Sequence, residues 1–229
     1  MVPARRSRCL GSWRLRDRPA AQATLQCIQL AELKTDAGAR QLVAALQRDG
    51  VAILTPPSAR QQKRVTTCYT ACQDFFARSF DEKADHGAGS GAGQQHGYMS
   101  MLEDGGSECF EVKLVHDARF QWPERPANFQ EAVRNAFESL HTTALEVLDA
   151  ILSGLGMQQQ HVRSLLDDPS AAGRLDEASH SAMRVWSYTH GIRSGWHADN
   201  SLLTLAPRAT AVGLHVRLLD GRCSGGPSS

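Results

Sequence analysis

The sequence predicts an α+β protein, helical through most of its first two thirds and built of strands toward its C-terminal end. Three observations carry this reading. Apolar residues recur at three and four positions between Asp36 and Leu155, short alternating runs follow Met183, and glycine or proline punctuates the joints. The 229 residues suffice for one large domain or two small ones, and 41% hydrophobic against 21% charged residues lies near the soluble average. A formal charge of +1 gives no general attraction to phosphate backbones or anionic membranes, so neither nucleic acid nor membrane is expected as partner. No apolar run approaches the roughly 20 residues a spanning helix needs.

Residues 1–24 form an Arg-rich leader in which Arg5, Arg6, Arg8, Arg14, Arg16 and Arg18 face a single acid, Asp17. That composition suits an organellar transit peptide, an overextended start or a disordered basic arm, and no secretory apolar core accompanies it. The expected location is cytoplasmic, or organellar if the leader is a transit peptide. Next comes a short strand from Cys27 to Leu30, then a helix from Asp36 to Arg48 capped by Thr35 or Asp36 and stopped by Gly50. A strand over Val51 to Leu54 runs into Pro56-Pro57. Ser58 then caps a helix reaching Phe80, with Val65, Cys68, Cys72 and Phe75 or Phe76 as its apolar stripe.

Gly87 to Gly93 reads as a flexible loop. Its glycines do not fit the dinucleotide-binding spacing, and no strand leads into them. The longest helix is expected from Asn128 to Leu155, its stripe running from Phe129 through Val133, Phe137 and Leu140 to Ile151, with glycines 154 and 156 ending it. That stripe is core, and His141 on the same helix is a surface or satisfied side chain. Met183 to Tyr188 alternates as a strand. The runs Ser201 to Leu205 and Val212 to Val216 give two more, separated by Pro207 and followed by the turn Asp220-Gly221. Residues 223–229 read as a flexible tail. The six cysteines show no Cys-x-x-Cys pairs, and free thiols are expected; Cys68 and Cys72, four apart on one helix, pack as small hydrophobes.

Chemistry concentrates in His197-Ala198-Asp199. On extended chain, residues two apart project to the same side, so both side chains reach one cation while Ala198 points away. Imidazole plus carboxylate is two thirds of the two-histidine, one-carboxylate triad that holds non-haem Fe(II). With nine histidines, about half of such chains would carry one His-x-Asp by chance, so the surrounding pattern has to carry the argument.

That surrounding pattern is Tyr188, then His197-x-Asp199 followed by Ser-Leu-Leu-Thr-Leu, then Gly213-Leu214-His215-Val216 and Asp220-Gly221. It resembles the Fe(II)- and 2-oxoglutarate-dependent dioxygenases of the isopenicillin N synthase-like type. Weaker matches are Gly50 to Leu54, Phe75-Phe76 with Asp81-Glu82-Lys83, Gly97-Tyr98, and Glu108 to Glu111, giving coverage of roughly residues 27 to 222.

The resemblance implies an N-terminal helical region packed on an incomplete double-stranded β-helix, or jelly roll. It divides the chain into a dioxygenase N-terminal-like region (25–125), a long bracing helix and following helix (126–170), and the first half of the jelly-roll core (180–222). It implies an oxidoreductase in which His197 and Asp199 hold Fe(II), 2-oxoglutarate is the cosubstrate, Tyr188 lies near the cosubstrate, and a small organic molecule is oxidised. No catalytic residue is expected beyond the metal ligands. Asn200 either orients the ligand or turns the chain, His190 is a conceivable substitute ligand, and Arg184 and Arg193 read as solvated surface.

The sequence departs from the family in lacking a distal histidine about fifty or more residues after the His-x-Asp with an Arg-x-Ser beyond it; the run Arg222-Cys223-Ser224 lies only 23 residues after Asp199. The only histidine that follows is His215, at a position where the family has a non-ligand residue. The expectation is a truncated, catalytically silent form. The alternative is a non-catalytic interaction protein derived from the same family, self-associating through an open sheet edge.

Overall fold

In the computed structural model the described residues are 25–55, 58–87, 97–101, 106–113, 121–166, 181–188, 195–208, 210, 214–218 and 222–225. The leader, Pro56-Pro57, most of the glycine-rich loop, His190, Arg193, Gly213 and the Asp220-Gly221 turn therefore lie outside the described residues.

Strand β1 (Cys27–Gln29) pairs in parallel with β2 (Ile53–Thr55), and helix α1 (Asp36–Asp49) forms the crossover between them after a 3₁₀ turn at Leu30–Lys34. The Thr35 hydroxyl accepts the Gly38 N–H at 3.1 Å, and Gly50, at φ 74°, ends the helix in the left-handed region that glycine adopts without strain. Helix α2 (Ala59–Phe76) starts on Ser58, whose hydroxyl accepts the Gln61 N–H.

The single helix expected through Phe80 breaks after Phe76 and restarts as α3 (Phe80–Ala84). Ser79 causes the restart, because it forms a reciprocal capping box with Glu82. Lys83 then reaches back to donate to the Phe76 carbonyl at 2.9 Å, satisfying one of the acceptors left at the end of α2.

Strands β3 (Gly97–Met101), β4 (Ser107–Lys113) and β5 (Ala182–Tyr188) form an antiparallel sheet with β4 in the centre. The register sets Phe110 opposite Val185 and Val112 opposite Met183 on the face toward the helices. On the other face Cys109 meets Trp186 and Glu111 meets Arg184.

Helix α4 (Phe129–Gly154) joins two cores. Phe129, Val133 and Phe137 enter a cluster with Phe75 and Phe110, whereas Val147 and Ala150 enter another with Ile28 and Leu42. Phe129 lies with its ring centroid 4.9 Å from both Phe75 and Phe110. Gly154 permits the close approach of α4 to α1, since a Cβ there would sit 2.7 Å from the Ala39 carbonyl oxygen. Helix α5 (Gln159–Arg163) is pinned to α4 by Arg163, whose guanidinium holds Asp149 at 2.5 and 2.9 Å. None of the described helices is long and apolar enough to cross a membrane.

Two expectations near the C-terminal end are corrected. Cys223–Gly225, read as tail, forms β7 and pairs with β6 (His215–Arg217), and Leu218 donates its N–H to the Arg222 carbonyl at the hairpin end. Backbone pairing with β6 supplies there what the Ser-Gly composition does not. Ser201 to Leu205, read as a strand, has no ladder partner among the described residues. It keeps the alternation of an extended chain, with Leu203 and Leu205 half-buried and Leu202 and Thr204 exposed.

Phe75 is fully buried at the junction of α2, β4 and α4, so Phe75→Ala is expected to destabilise by about 3–5 kcal/mol in urea unfolding. Tyr98 is buried and donates to Glu108 at 2.5 Å; burial and this bond push its phenol up to about 12. Because the unfolded phenol titrates near about 10, the protonated form favours the fold, and this stabilisation is lost as pH rises through about 12. Melting temperature should therefore fall over that interval, and Tyr98→Phe should remove this part of the fall.

Candidate metal centre

The segment around His197 follows β5 and takes no ladder hydrogen bonds among the described residues, so its side chains are positioned from outside. On one side, the Arg217 guanidinium of β6 sits 5.4 Å from the centre of the Trp196 ring, a cation–π contact that ties the hairpin to the residue before His197. On the other side, Leu203 packs against the cluster of Ile28 and Leu42. Between these anchors the Ser201 and Thr204 hydroxyls meet at 2.6 Å.

His197 and Asp199 converge. The Nε2 atom lies 3.5 Å from Oδ1 of Asp199, while Nδ1 lies 2.9 Å from the Gly195 carbonyl oxygen. A carbonyl only accepts, so Nδ1 carries a proton, and in the neutral imidazole Nε2 has the lone pair that a cation would take. Two donors bound at about 2.1 Å on neighbouring corners of one ion would stand about 3.0 Å apart, which requires only a small approach from the observed separation. The pair fits a divalent metal as two of its ligands. No group of three or more His, Cys, Asp or Glu side chains able to hold a metal is formed among the described residues. His215 is exposed on β6, and the side chains of His197 and Asp199 are themselves 64% and 52% exposed. Asn200 is exposed.

Tyr188 ends β5, opposite Ser107, half-exposed and stacked on Trp186 with centroids 5.9 Å apart and planes 18° apart. Partial burial, and then the neighbouring Cys109, raise its phenol above the ordinary value. Arg184, expected as solvated surface, is exposed, and its Nε is also tied to the wholly buried Glu111. Lys113 holds the other oxygen of the same carboxylate at 2.8 Å.

Sequence reasoning missed this trio. It also missed Lys83 and Tyr98, which both bind Glu108 at 2.5 Å on the opposite face of the sheet. The available signal was two acids, Glu108 and Glu111, inside a strand otherwise rich in Cys, Phe and Val. Cys68 and Cys72 are buried with sulfurs 4.0 Å apart, and the cysteines among the described residues are free thiols.

Among solved structures the chain is similar to a protein from Caulobacter crescentus assigned to the 2OG-Fe(II) oxygenase family, at 20% identity and a TM-score of 0.70, covering 90% of this chain and 72% of that one. A protein from Shewanella oneidensis assigned as an oxygenase aligns at 20% identity and TM-score 0.60, with the same two coverages of 90% and 72%. A Neurospora crassa protein solved in complex with alpha-KG and thymine aligns at 17% identity and TM-score 0.51, over 62% of this chain and 52% of that one. No family model and no curated protein matches the sequence. The chain therefore shares the mixed helix-and-sheet fold of 2OG-Fe(II) oxygenases.

Mn(II) titration followed by electron paramagnetic resonance should detect one weak site that His197→Ala and Asp199→Ala each abolish. Arg217→Ala, which frees Trp196 without touching either donor, should weaken that site roughly two- to fivefold, as expected for losing an exposed cation–π contact.

Proposed function

We propose that this protein is built on the plan of a non-haem Fe(II)- and 2-oxoglutarate-dependent oxygenase for a small organic substrate, with His197 and Asp199 as two of the iron ligands. The observation that carries this reading is the pairing of a free Nε2 with Oδ1 at 3.5 Å, the tautomer being fixed by the Gly195 carbonyl. The shared fold supports it, and so does the Neurospora crassa neighbour solved with alpha-KG and thymine. In this plan α1, α2 and α4 back an incomplete jelly roll of the isopenicillin N synthase-like kind, to which β3, β4, β5 and the β6–β7 hairpin contribute.

Iron and 2-oxoglutarate, when bound, supply oxidising chemistry that no side chain of this protein possesses. The chain's own residues bind and orient. His197 offers Nε2 while its Nδ1–H donates to the Gly195 carbonyl, which holds the ring plane. Asp199 offers a carboxylate oxygen and one negative charge toward the cation. Tyr188 offers a phenol that remains protonated at neutral pH and can donate a hydrogen bond to an anionic cosubstrate.

With two protein ligands among the described residues, catalysis by this chain is expected to be silent. Loss of an outer-shell partner alone typically lowers metal affinity or activity by about 10 to 100-fold, and loss of a direct ligand should cost at least as much. A second reading, a non-catalytic interaction protein, is favoured by one observation: both donor side chains are more than half exposed.

The test is to incubate the purified chain with Fe(II), 2-oxoglutarate and oxygen and to measure succinate. The expected yield equals that of the Asp199→Ala variant. Succinate formed by the wild type and lost in that variant would overturn the silent assignment and make the chain an active oxygenase. Failure of Mn(II) to bind the wild type would favour the interaction protein instead.

A further inference from the structure

The face of the β3–β5 sheet turned away from the helices carries features that the metal pair does not use. Arg184, Trp186 and Tyr188 alternate along β5 and so project from this one face, at intervals of about 7 Å. Trp186 is 36% exposed and Tyr188 is 50% exposed, although both are large aromatic side chains beside a well-filled core. Their rings are nearly parallel, with centroids 5.9 Å apart, so together they form one aromatic wall.

The charge beside that wall is unbalanced. Glu111 is fully buried and takes Arg184 on one oxygen and Lys113 on the other, so among the described residues this cluster contains two cations and one carboxylate. Arg184 uses its Nε for Glu111. Its two Nη groups meet no acceptor among the described residues, and its side chain is 48% exposed. A guanidinium held at one edge by a buried carboxylate is pre-aimed, and its open edge suits bidentate recognition of a second carboxylate.

We propose that Arg184, Trp186 and Tyr188 form a binding surface for a planar aromatic carboxylate, its ring stacked on the Trp186–Tyr188 wall and its carboxylate on the free edge of Arg184. This rests on the oxygenase reading for its meaning as a substrate class, since it names what such an enzyme would take; the binding itself requires no metal. Glu111 and Lys113 act as positioning residues that fix the direction of Arg184. The surplus positive charge selects an anion, and the wall selects a flat ring. A fused bicyclic ring bearing a carboxylate spans the interval between Arg184 and Trp186.

The test is isothermal titration calorimetry of the full chain, without metal, using 2-naphthoate and its neutral isostere 2-naphthamide as probes. The expected result is saturable one-to-one binding of 2-naphthoate, with 2-naphthamide at least about tenfold weaker, as for loss of a hydrogen-bonded charge pair. Arg184→Gln should abolish the preference for the anion, and Trp186→Leu should weaken both probes. Because Arg184→Gln alone leaves Glu111 with one partner fewer, the charge-neutral pair Arg184→Gln with Glu111→Gln is measured beside it, with circular dichroism confirming the fold.

Equal binding of the two probes, or binding unchanged in the Arg184 variants, would each overturn the proposal. His197→Ala and Asp199→Ala should leave 2-naphthoate binding intact. Binding of 2-naphthoate but not Mn(II) by the unsubstituted chain therefore counts against the oxygenase reading alone, and binding of Mn(II) but not 2-naphthoate counts against this surface alone.

Discussion

The structure depends on one long apolar stripe that has to be covered. Helix α4 runs for 26 residues, about 39 Å, and its buried side chains extend from Phe129 to Leu152. Neither neighbouring helix is long enough to cover it, because α1 has 14 residues and α2 has 18. Two partners therefore divide the stripe. The aromatic half of α4 packs with α2 and the three-stranded sheet, and the small-residue half packs with α1 and the β1–β2 pair, where Gly154 lets the backbones close on one another. Each strand pair contributing to these cores reaches the other through this helix, so errors in the phase of its stripe would separate the two halves of the fold.

The second constraint is charge buried on both faces of one strand. On the helix side of β4, Glu108 is held by Lys83 and Tyr98, which locks short α3 against the sheet. On the other side, Glu111 is held by Arg184 and Lys113. Buried pairs of this kind add little net stability against an apolar equivalent, because desolvation offsets their attraction, but removing one partner leaves a charge with no solvent. Their consequence here is geometric. They fix where α3 docks and which way Arg184 points.

These constraints also explain what was legible in the sequence. Helix ends were readable because they depend on local chemistry: Thr35 and Gly50 bound α1, Ser58 opens α2, and Gly156, at φ 70°, closes α4, as their residue types imply. The break at Ala77 escaped notice because the apolar stripe continues into Phe80, and only the Ser79–Glu82 box distinguishes a restart from a continuation. Strands were less readable. Ser201 to Leu205 has the alternation of a strand but no partner in register among the described residues. Cys223–Gly225 has a partner but a composition poor in strand formers. Pairing is a property of two segments, and one segment alone does not encode it. Glu111 and Arg184 are 73 residues apart in sequence, and only the register of β4 on β5 makes them opposite neighbours.

The same distinction between local and non-local determinants runs through the metal pair. The spacing of His197 and Asp199, the side to which they project and the tautomer of the imidazole are all set within five residues, from Gly195 to Asp199. Their placement in the fold is set elsewhere, by Arg217 on one flank and the core contact of Leu203 on the other. A donor pair whose internal geometry is local would need only a small approach to receive a cation, so its affinity would depend on how many further donors meet it and on how firmly its flanks are held. Because both side chains remain more than half exposed, a cation held between them would keep water as its other ligands, and the proposed site would be weak and exchangeable. Enclosure, which would exclude that water and strengthen each electrostatic contact, is the non-local property that separates such a pair from a working centre.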